Sequence, residues 1–223
     1  MGEKLIQEFL HVYNPSIHSP YKIKAEIISE DLHPLTPSFP SANKPRQVPT
    51  FKLAKNLFKE IDFIGTHFNL LLLELPELET YNFGTTPQGL ELITPLGDPG
   101  NLGAILRSAL AFGTSKVILT QEAAFPFLPK VIKASAGAVL QIPLLLCGPL
   151  TELVGHEVYA LDAEGSDIAN FRWPRSLRLL VGEEGPGLAG LKGLMKPKIQ
   201  TGEVESLNAS VAASIALYCY RQS

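Results

Sequence analysis

The sequence predicts an α/β protein with a parallel sheet, preceded by a small α+β module. Short apolar runs alternate with helical patterns in the last two thirds of the chain, which is typical of a parallel sheet flanked by helices. A loop rich in Pro and Ser at residues 33–49 and a polar stretch at residues 81–88 (YNFGTTPQ) interrupt the chain before this region. We therefore expect the module in residues 1–85, linker included, and the sheet domain in residues 86–223.

The N-terminal module contains one predicted strand and one predicted helix. Residues 22–30 alternate in polarity like a strand, and residues 51–60 carry apolar side chains at helical spacing. The intervening residues 33–49 contain too many prolines for a helix or a central strand. Lys and Arg are frequent here, and the next basic residue after Glu60 is Arg107. The module therefore has a local positive charge that the net charge of the whole chain conceals.

Five apolar runs in the second region are strand candidates. They are residues 90–96, 116–120, 141–146, 157–163 and 177–182. Between the first two, residues 101–112 place apolar side chains on one face of a helix, and Gly113 is suited to end it. In a parallel α/β sheet, ligands bind beyond the carboxyl ends of the strands. We therefore expect a functional site in the loops after Leu96, Gly182 and Thr201.

Composition limits the class of protein. With 223 residues and a hydrophobic fraction of 45%, the chain can bury the core of one domain and of a small second one. The net charge of −3 gives no overall attraction to nucleic acid, so any RNA contact requires a local patch. Cys147 and Cys219 lack any metal-binding spacing, so we expect two reduced thiols and no metal. Since neither a membrane-spanning run nor a signal-peptide pattern is present, we expect a cytoplasmic protein.

The first candidate loop is GDPGNLGAILRSA, residues 97–109. Pro99 and the glycines predict a tight turn from strand to helix, with Asn101 available as the helix cap. Arg107 follows nearly two turns later, and we expect it on the same side of the helix; alone, it also fits a surface residue. A dinucleotide site is an alternative, because Glu122 follows the next strand where a ribose-binding acid is usual. The glycines, however, do not follow the G-x-G-x-x-G pattern.

Two further loops carry polar residues. In LLVGEEGPGL, residues 179–188, three glycines surround two glutamates, which suits a flat ligand with hydroxyl groups but not a phosphate. This segment also lacks the Lys and Ser/Thr of a nucleotide P-loop. In the third loop, Ser206 and Asn208 precede an Ala-rich helix, and either of them can be its N-cap. One cap needs only one residue, so the other is available for a second role.

In this order and spacing, the three loops resemble the signature motifs of the SpoU/TrmH family of RNA 2′-O-ribose methyltransferases, of the SPOUT or α/β-knot class. The motifs read N-x-G-x-x-x-R after a strand, G-x-E-G-x-G after a later strand, and S-L-N before an Ala-rich helix. The segment FPFLPKVIKASAGAV, residues 125–139, is also similar to the family's segment between the first two motifs. The similarity runs from about residue 90 to residue 223 and covers the module only loosely.

The resemblance implies a parallel sheet with a deep trefoil knot near its C-terminal end, and S-adenosylmethionine as methyl donor. The implied cofactor-binding residues, acting largely through backbone groups, are Leu161, Gly182, Gly187, Ile199 and Leu207. The implied catalytic residues are Asn101, Arg107, Glu184, Ser206 and Asn208, and no metal is implied. The chain departs from the family at residues 199–201, where IQT replaces Ile-Pro-Met and the loop is one residue shorter. This departure affects the match of Ile199.

For the reaction, the resemblance implies attack of a ribose 2′-hydroxyl on the methyl group of a sulfonium, with the protein supplying position. Arg107 is often assigned as the base in this family, but a guanidinium with a pKa above about 12 is a poor proton acceptor. We expect Arg107 instead to bind an RNA phosphate through two hydrogen bonds and so orient the 2′-hydroxyl. Glu184 and Asn208 are expected to fix the loops and to bind hydroxyl groups of substrate or cofactor.

The resemblance also implies a homodimer through the knotted domain, in which the helix of Arg107 reaches a site completed by the other subunit. It implies RNA binding by the N-terminal module, whose basic residues are either RNA contacts or simply solvated. These residues are Lys22, Lys24, Lys44, Arg46, Lys52, Lys55 and Lys59. Ribosomal RNA is expected rather than transfer RNA, by analogy. The alternatives are a non-catalytic RNA-binding protein on the same fold and a nicotinamide-dependent oxidoreductase, neither of which explains all three motifs.

Overall fold

The structure, a computed structural model, divides into two compact units, Met1–Glu77 and Leu78–Ser223. It describes residues 2–12, 20–35, 48–162, 165–182, 195–204 and 207–223. The division precedes the boundary expected at residues 85/86, because residues 78–85 belong to the second unit. None of the helices in the described stretches is long and apolar enough to cross a membrane.

The part of the first unit that the structure describes is a three-stranded sheet with two helices. Its helices are α1 (Gly2–Val12) and α2 (Lys55–Ile61). The central strand β1 (Lys22–Ser29) pairs in parallel with β2 (Thr50–Leu53) and antiparallel with β3 (Leu70–Glu74). The strand expected at residues 22–30 is therefore confirmed.

The prediction of a helix at residues 51–60 is wrong for its first residues. Residues 50–53 form β2, and α2 begins only at Lys55. The backbone of Ala54 is extended, with φ −59° and ψ 146°, so the chain changes there from strand to helix. Pairing with β1, a strand distant in sequence, overrides the helical spacing of the local apolar residues.

A buried carboxylate organises the first unit. Glu26 in β1 is 0% exposed. One of its oxygens accepts hydrogen bonds from the backbone N of Leu35 at 2.6 Å and from Nδ2 of Asn69 at 2.7 Å. The other accepts from Oγ1 of Thr50 at 3.4 Å. These bonds connect β1 to three other segments and satisfy a charged group that would otherwise be costly to bury.

The second unit contains a five-stranded parallel sheet, as expected from the sequence. Its strands are β4 (Leu90–Thr94), β5 (Lys116–Leu119), β6 (Leu144–Leu146), β7 (Tyr159–Ala160) and β9 (Leu177–Leu180). Their order is β6-β5-β4-β9-β7, and every pairing is parallel. Each strand lies within its predicted apolar run, although β6 and β7 are much shorter than theirs. A separate parallel pair joins β8 (Ser166–Asp167) to β10 (Pro197–Lys198).

Among the described residues, three α-helices accompany this sheet: α3 (Pro99–Ala111), α4 (Pro129–Ala134) and α5 (Ala209–Gln222). Helix α3 packs against both of the others. Its contact with α4 requires glycine at position 103, because a Cβ there would lie 2.5 Å from the Cβ of Ala134 and 2.8 Å from the carbonyl oxygen of Val131. Gly103 of the first motif is therefore explained by helix packing alone.

The segment expected to be a linker is part of the core of the second unit. Tyr81 is 6% exposed and packs in a buried apolar cluster with Ile93 and Leu180. Its backbone N donates to the carbonyl oxygen of Leu146 at 2.7 Å, which attaches the segment to the edge strand β6. Tyr81, at the start of the expected linker, is therefore part of the core of the second unit.

Buried charges fix this segment to the sheet. Glu91, Lys116 and Arg178 are neighbours in register near the starts of β4, β5 and β9. Nζ of Lys116 lies 3.3 Å from Oε1 of Glu91. Nε of Arg178 donates to the hydroxyl of Tyr81 at 2.8 Å, and that hydroxyl donates to Oε2 of Glu91. Burial, and then the bond to Glu91, raise the pKa of Tyr81, so its hydroxyl keeps the proton that it donates.

Both cysteines are free and half-buried. Burial raises the pKa of the Cys147 thiol to about 11, so this thiol is protonated near neutral pH. No group of His, Cys, Asp or Glu side chains within the described residues is placed to hold a metal ion.

Candidate active site

The loops that follow β4 and β9 meet at the carboxyl ends of the strands. Gly182 lies just beyond β9, and a Cβ on it would come 2.8 Å from Cγ of Pro95, just beyond β4. Helix α3 begins from the first of these loops, with Asp98 as its N-cap. This is the edge of the sheet at which the sequence places the candidate site.

Two predicted site residues, 107 positions apart in the sequence, are hydrogen-bonded to each other. Nδ2 of Asn208 donates to Oδ1 of Asn101 at 3.1 Å. Asn101 lies in the first turn of α3, and Asn208 is the N-cap of α5. The first and third motifs therefore meet through their asparagine side chains, at the amino-terminal ends of two packed helices.

The cap of α3 differs from the expected one. Asp98, not Asn101, is the N-cap, and its Oδ1 accepts from the backbone N of Asn101 at 2.8 Å. This bond, followed by the contact with Lys130, lowers the pKa of Asp98, so its carboxylate is charged near neutral pH. The Asp-Pro pair at positions 98 and 99 is a helix-start signal that identifies this cap from sequence. Since Asp98 takes the capping role, the side chain of Asn101 is left for the contact with Asn208.

Arg107 does not lie on the same side of α3 as Asn101. Six residues at 3.6 residues per turn place the two side chains about 120° apart around the helix and about 9 Å apart along it. Ser108, seven residues after Asn101, is on the side of Asn101 instead. Arg107 is exposed and has neither an ion-pair nor a hydrogen-bond partner within the described residues. The expectation of a shared side was wrong, because residues six apart in an α-helix lie on different sides of it.

Polar contacts connect α3 and α5 along their lengths. Oγ of Ser108 and Oγ of Ser214 are 2.7 Å apart. Nη1 of Arg221 donates to the carbonyl oxygen of Phe112, the C-cap of α3, at 3.1 Å. These bonds join the two helices at positions away from the pair of asparagines. The sequence analysis did not identify these residues, because their pairing depends on the packing of helices far apart in the chain.

The residues implied as cofactor contacts lie on neighbouring segments. Leu161, Gly182, Ile199 and Leu207 are each partly exposed. The backbone N of Leu161 donates to the carbonyl oxygen of Leu180 at 3.2 Å, which places the end of β7 beside the end of β9. The backbone N of Asp162 donates to the carbonyl oxygen of Pro197 at 3.2 Å, two residues before Ile199. Three predicted site residues lie outside the described residues: Glu184, Gly187 and Ser206.

Glu122, the candidate ribose-binding acid of a dinucleotide site, is committed to local structure. Its Oε2 accepts from Oγ1 of Thr120, and its Oε1 accepts from the backbone N of Leu150 at 3.0 Å. Burial raises the pKa of this carboxyl, but these two hydrogen bonds outweigh burial and leave the pKa lowered. Both oxygens are used within the fold, which disfavours the oxidoreductase alternative.

Several lysines of the first unit are paired with acids. Lys22 and Lys24 both contact Glu74, and Lys55 lies 3.1 Å from Asp31. Pairs at such exposed positions contribute little stability, but they reduce the local positive charge. Lys44 and Arg46 lie outside the described residues. The basic surface of the described part of this unit is therefore weaker than its lysines suggest.

Together, the fold and this edge define an α/β protein with a parallel sheet and a polar site at the carboxyl ends of its strands. Residues 92–218 match the SpoU rRNA Methylase family. This match covers more than half of the chain, and the protein belongs to this family of RNA methyltransferases. The resemblance inferred from the three motifs is confirmed.

A protein of Staphylococcus haemolyticus named Putative TrmH family tRNA/rRNA methyltransferase is 34% identical over 141 residues, or 57% of this chain and 55% of that protein. A protein of Syntrophobacter fumaroxidans named Ribosomal RNA small subunit methyltransferase G 2 is 41% identical over 189 residues, or 82% of this chain and 38% of that protein. The chain thus spans little more than a third of this relative, whose name describes a much longer protein.

Solved structures share the fold. The SpoU methyltransferase AviRb of Streptomyces viridochromogenes, in complex with the cofactor AdoMet, has a TM-score of 0.76 at 18% identity, covering 98% of this chain and 87% of that one. A structure concerned with the 2-OH methylation of C/U34 on tRNA has a TM-score of 0.53 at 28% identity, covering 61% of this chain and 96% of that one. The mixed α/β architecture with a parallel sheet is therefore that of SpoU methyltransferases.

Proposed function

We propose that this protein transfers a methyl group from S-adenosylmethionine to a ribose 2′-hydroxyl of ribosomal RNA. The observation that carries the proposal is the hydrogen bond between Asn101 and Asn208 at the carboxyl edge of the sheet. It joins two motifs of an RNA methyltransferase family at the place where α/β proteins bind ligands. A non-catalytic RNA-binding protein would have no need for these two asparagines together with an exposed Arg107.

The described residues fit S-adenosylmethionine, which a solved relative of the same fold holds. Leu161, Ile199 and Leu207 offer apolar side chains, which suit the purine and the methylene groups of this cofactor. Gly182 allows the backbone of β9 to end close to Pro95. When bound, this cofactor supplies an electrophilic methyl group on a sulfonium. The side chains of the chain itself then have to hold and orient the ribose.

Arg107 and the pair of asparagines have different roles in holding the RNA. The exposed guanidinium of Arg107 is a permanent cation with planar donors, suited to bidentate binding of an RNA phosphate. Asn101 and Asn208 offer amide groups near the position expected for the ribose. Neither an arginine nor an amide is a base near neutral pH, so these residues position the 2′-hydroxyl rather than remove its proton.

A second copy of the chain would complete the site. Because Arg107 lies on a different side of α3 from Asn101, we place it in the site of a partner subunit within a homodimer. Helix α5 has exposed apolar side chains suited to such an interface, with Val211 47% and Tyr218 52% exposed. Light scattering tests the assembly, and the mass of a single chain in solution would contradict it.

The proposed knot has support in the pairing near β8 and β10. The backbone N of Ala160 donates to the carbonyl oxygen of Met195 at 3.0 Å, and the backbone N of Ser166 donates to that of Lys196 at 2.8 Å. Residues 195–198 are therefore hydrogen-bonded both to residues 159–162 and to β8 (Ser166–Asp167). Threading of the chain near its C-terminal end would bring these late residues against the segment around β7 and β8, as the pairing does. An experimental chain trace through this region would decide the question.

The proposed activity is tested by transfer of tritium from methyl-labelled S-adenosylmethionine to unmodified transcripts of ribosomal and transfer RNA. We expect labelling of a ribosomal transcript, and the labelled nucleotide should resist alkaline cleavage at its 3′ side, because a 2′-O-methyl group removes the attacking hydroxyl. Label in an alkali-sensitive nucleotide would contradict ribose methylation. Labelling of transfer RNA alone would contradict only the choice of ribosomal RNA, and calorimetric binding of the cofactor without any transfer would favour the non-catalytic alternative.

Replacement of Arg107 by lysine tests the orienting role. Lysine keeps the charge but not the planar pair of donors, so we expect the single-turnover rate at saturating RNA to fall on the order of tenfold. Arg172→Lys is the matched control, since Arg172 is also exposed, and it should react at the wild-type rate. A near-normal rate for Arg107→Lys at saturating RNA would count against orientation by the guanidinium.

A further inference from the structure

The amide orientation of Asn208 is determined by Ser210, two residues into α5. Oδ1 of Asn208 accepts from the backbone N of Ser210 at 2.9 Å and from its Oγ at 2.6 Å. A backbone N–H can only donate, so the atom that faces it must be the oxygen of the carboxamide. Nδ2 of Asn208 is therefore on the opposite side, where it donates to Asn101.

This arrangement orients the amide of Asn101 as well. Because Oδ1 of Asn101 accepts from Asn208, its Nδ2 is directed away from that contact. Nδ2 of Asn101 has two hydrogens and no partner within the described residues, and Nδ2 of Asn208 has one further hydrogen. Both oxygens face inward and the remaining N–H groups face outward. The pair therefore offers donors to a ligand.

We propose that Ser210 is a positioning residue, which holds the two amides so that Asn101 and Asn208 present N–H donors to an oxygen acceptor of the substrate or cofactor. This inference rests on the proposed methyl transfer. The acceptor is a phosphate or ribose oxygen of the RNA, or the carboxylate of the cofactor, all of which accept hydrogen bonds. Without the hydroxyl of Ser210, Asn208 retains one bond to its oxygen instead of two, and its carboxamide is held less firmly.

The helix supplies a matched control. Ser214, one turn after Ser210, also has a hydroxyl engaged in hydrogen bonds: its Oγ donates to the carbonyl oxygen of Ser210 at 2.7 Å and lies 2.7 Å from Oγ of Ser108. Ser214→Ala removes polar contacts from the same helix without touching either amide. Ser210→Ala and Ser214→Ala should therefore lower the melting temperature by similar amounts, while only the first changes the active site.

The experiment compares wild type, Ser210→Ala, Ser210→Thr and Ser214→Ala, using labelled S-adenosylmethionine and the RNA transcript that the wild type methylates. We expect the single-turnover rate of Ser210→Ala at saturating RNA to fall about threefold to tenfold, as for one lost hydrogen bond. Ser210→Thr, which restores a hydroxyl, should recover the wild-type rate, and Ser214→Ala should not lose it. Calorimetry with S-adenosylmethionine alone identifies the acceptor, since weaker binding to Ser210→Ala indicates the cofactor carboxylate and unchanged binding indicates the RNA.

The outcomes separate this inference from the proposed function. If wild-type protein transfers no methyl group, the proposed function is wrong. If the wild type is active and Ser210→Ala reacts as fast as Ser214→Ala, the positioning role is wrong. A well-folded Ser210→Thr that stays as slow as Ser210→Ala would also overturn it, because the hydroxyl would then not be the group that matters.

Discussion

Replacement of Arg178 by methionine is expected to lower the free energy of unfolding of the second unit by about 3–5 kcal/mol. Arg178 is 4% exposed, and its Nε donates to Tyr81. Its Nη2 donates to the carbonyl oxygens of Phe83 and Thr85. Methionine keeps an unbranched apolar stem but has no donor, so two carbonyl groups lose their partner and the buried carboxylate of Glu91 loses a neighbouring cation. The loss is large because Arg178, Tyr81 and Glu91 are all buried.

The measurement is urea unfolding followed by tryptophan fluorescence. Trp173 is the single tryptophan of the chain, and it lies in the second unit with its ring against those of Phe171 and Tyr220. Its signal therefore reports on the unit that contains Arg178. Arg175→Met is the matched control, because Arg175 is exposed and the same substitution there should change stability by no more than about 0.5 kcal/mol.

A second substitution identifies the origin of the loss. If the unpaired charge of Glu91 contributes, Glu91→Gln should cost less in the Arg178→Met background than in the wild type. Strictly additive effects would instead assign the loss to the carbonyl groups of Phe83 and Thr85. Equal stabilities of Arg178→Met and Arg175→Met would contradict any net contribution from the cluster.

The contacts among Glu91, Lys116 and Arg178 could not be predicted from any one segment of the sequence. Three of the apolar runs carry one charged residue within their first two positions, Glu91, Lys116 and Arg178, and the runs themselves correctly predicted strands. Nothing local to any one run indicates that the charges face one another, since their contact depends on the register of strands 25 to 87 residues apart. Once the strand order is assumed, the alignment of the three runs places the charges side by side. Residues 81–88 are polar and were therefore predicted to be a linker. Arg178, the cation that binds their carbonyl groups, lies far along the chain and gives no local signal.

The site was predictable in part for a related reason. Strand–loop–helix patterns placed Asn101 and Asn208 at the ends of neighbouring elements, and their side chains meet. The prediction of the side of α3 on which Arg107 lies was wrong, although helical geometry alone gives the correct side. The roles of Asp98 and Ser210 depend on caps, in which the atoms that bond are close in sequence. Such caps are readable from sequence, whereas contacts such as that of Ser108 with Ser214 are not.

Replacement of Asn208 by aspartate is expected to reduce the methyl-transfer rate on the order of 100-fold while leaving the fold as stable as before. A carboxylate still accepts the two bonds from Ser210, and a negative charge at the amino-terminal end of α5 is favourable by about 0.3–1 kcal/mol. The donor to Asn101 is lost, however. Asn101 then has to turn its Nδ2 inward to contact the new carboxylate, so the pair presents oxygen where it presented N–H. Loss of one preorganised donor typically costs on the order of 100-fold in rate.

Asn82→Asp is the matched control for this change. Asn82 is exposed, lies in the same unit, and its Oδ1 accepts from the backbone N of Gly84 at 2.9 Å, the same two-residue arrangement as between Asn208 and Ser210. Asn82→Asp adds the same charge without altering the site, so its methyl-transfer rate should equal that of the wild type. Urea unfolding of both variants shows whether the cap is retained. A stable Asn208→Asp that methylates RNA at the wild-type rate would contradict the donor role, because its only lost group is the amide that bridges the two motifs.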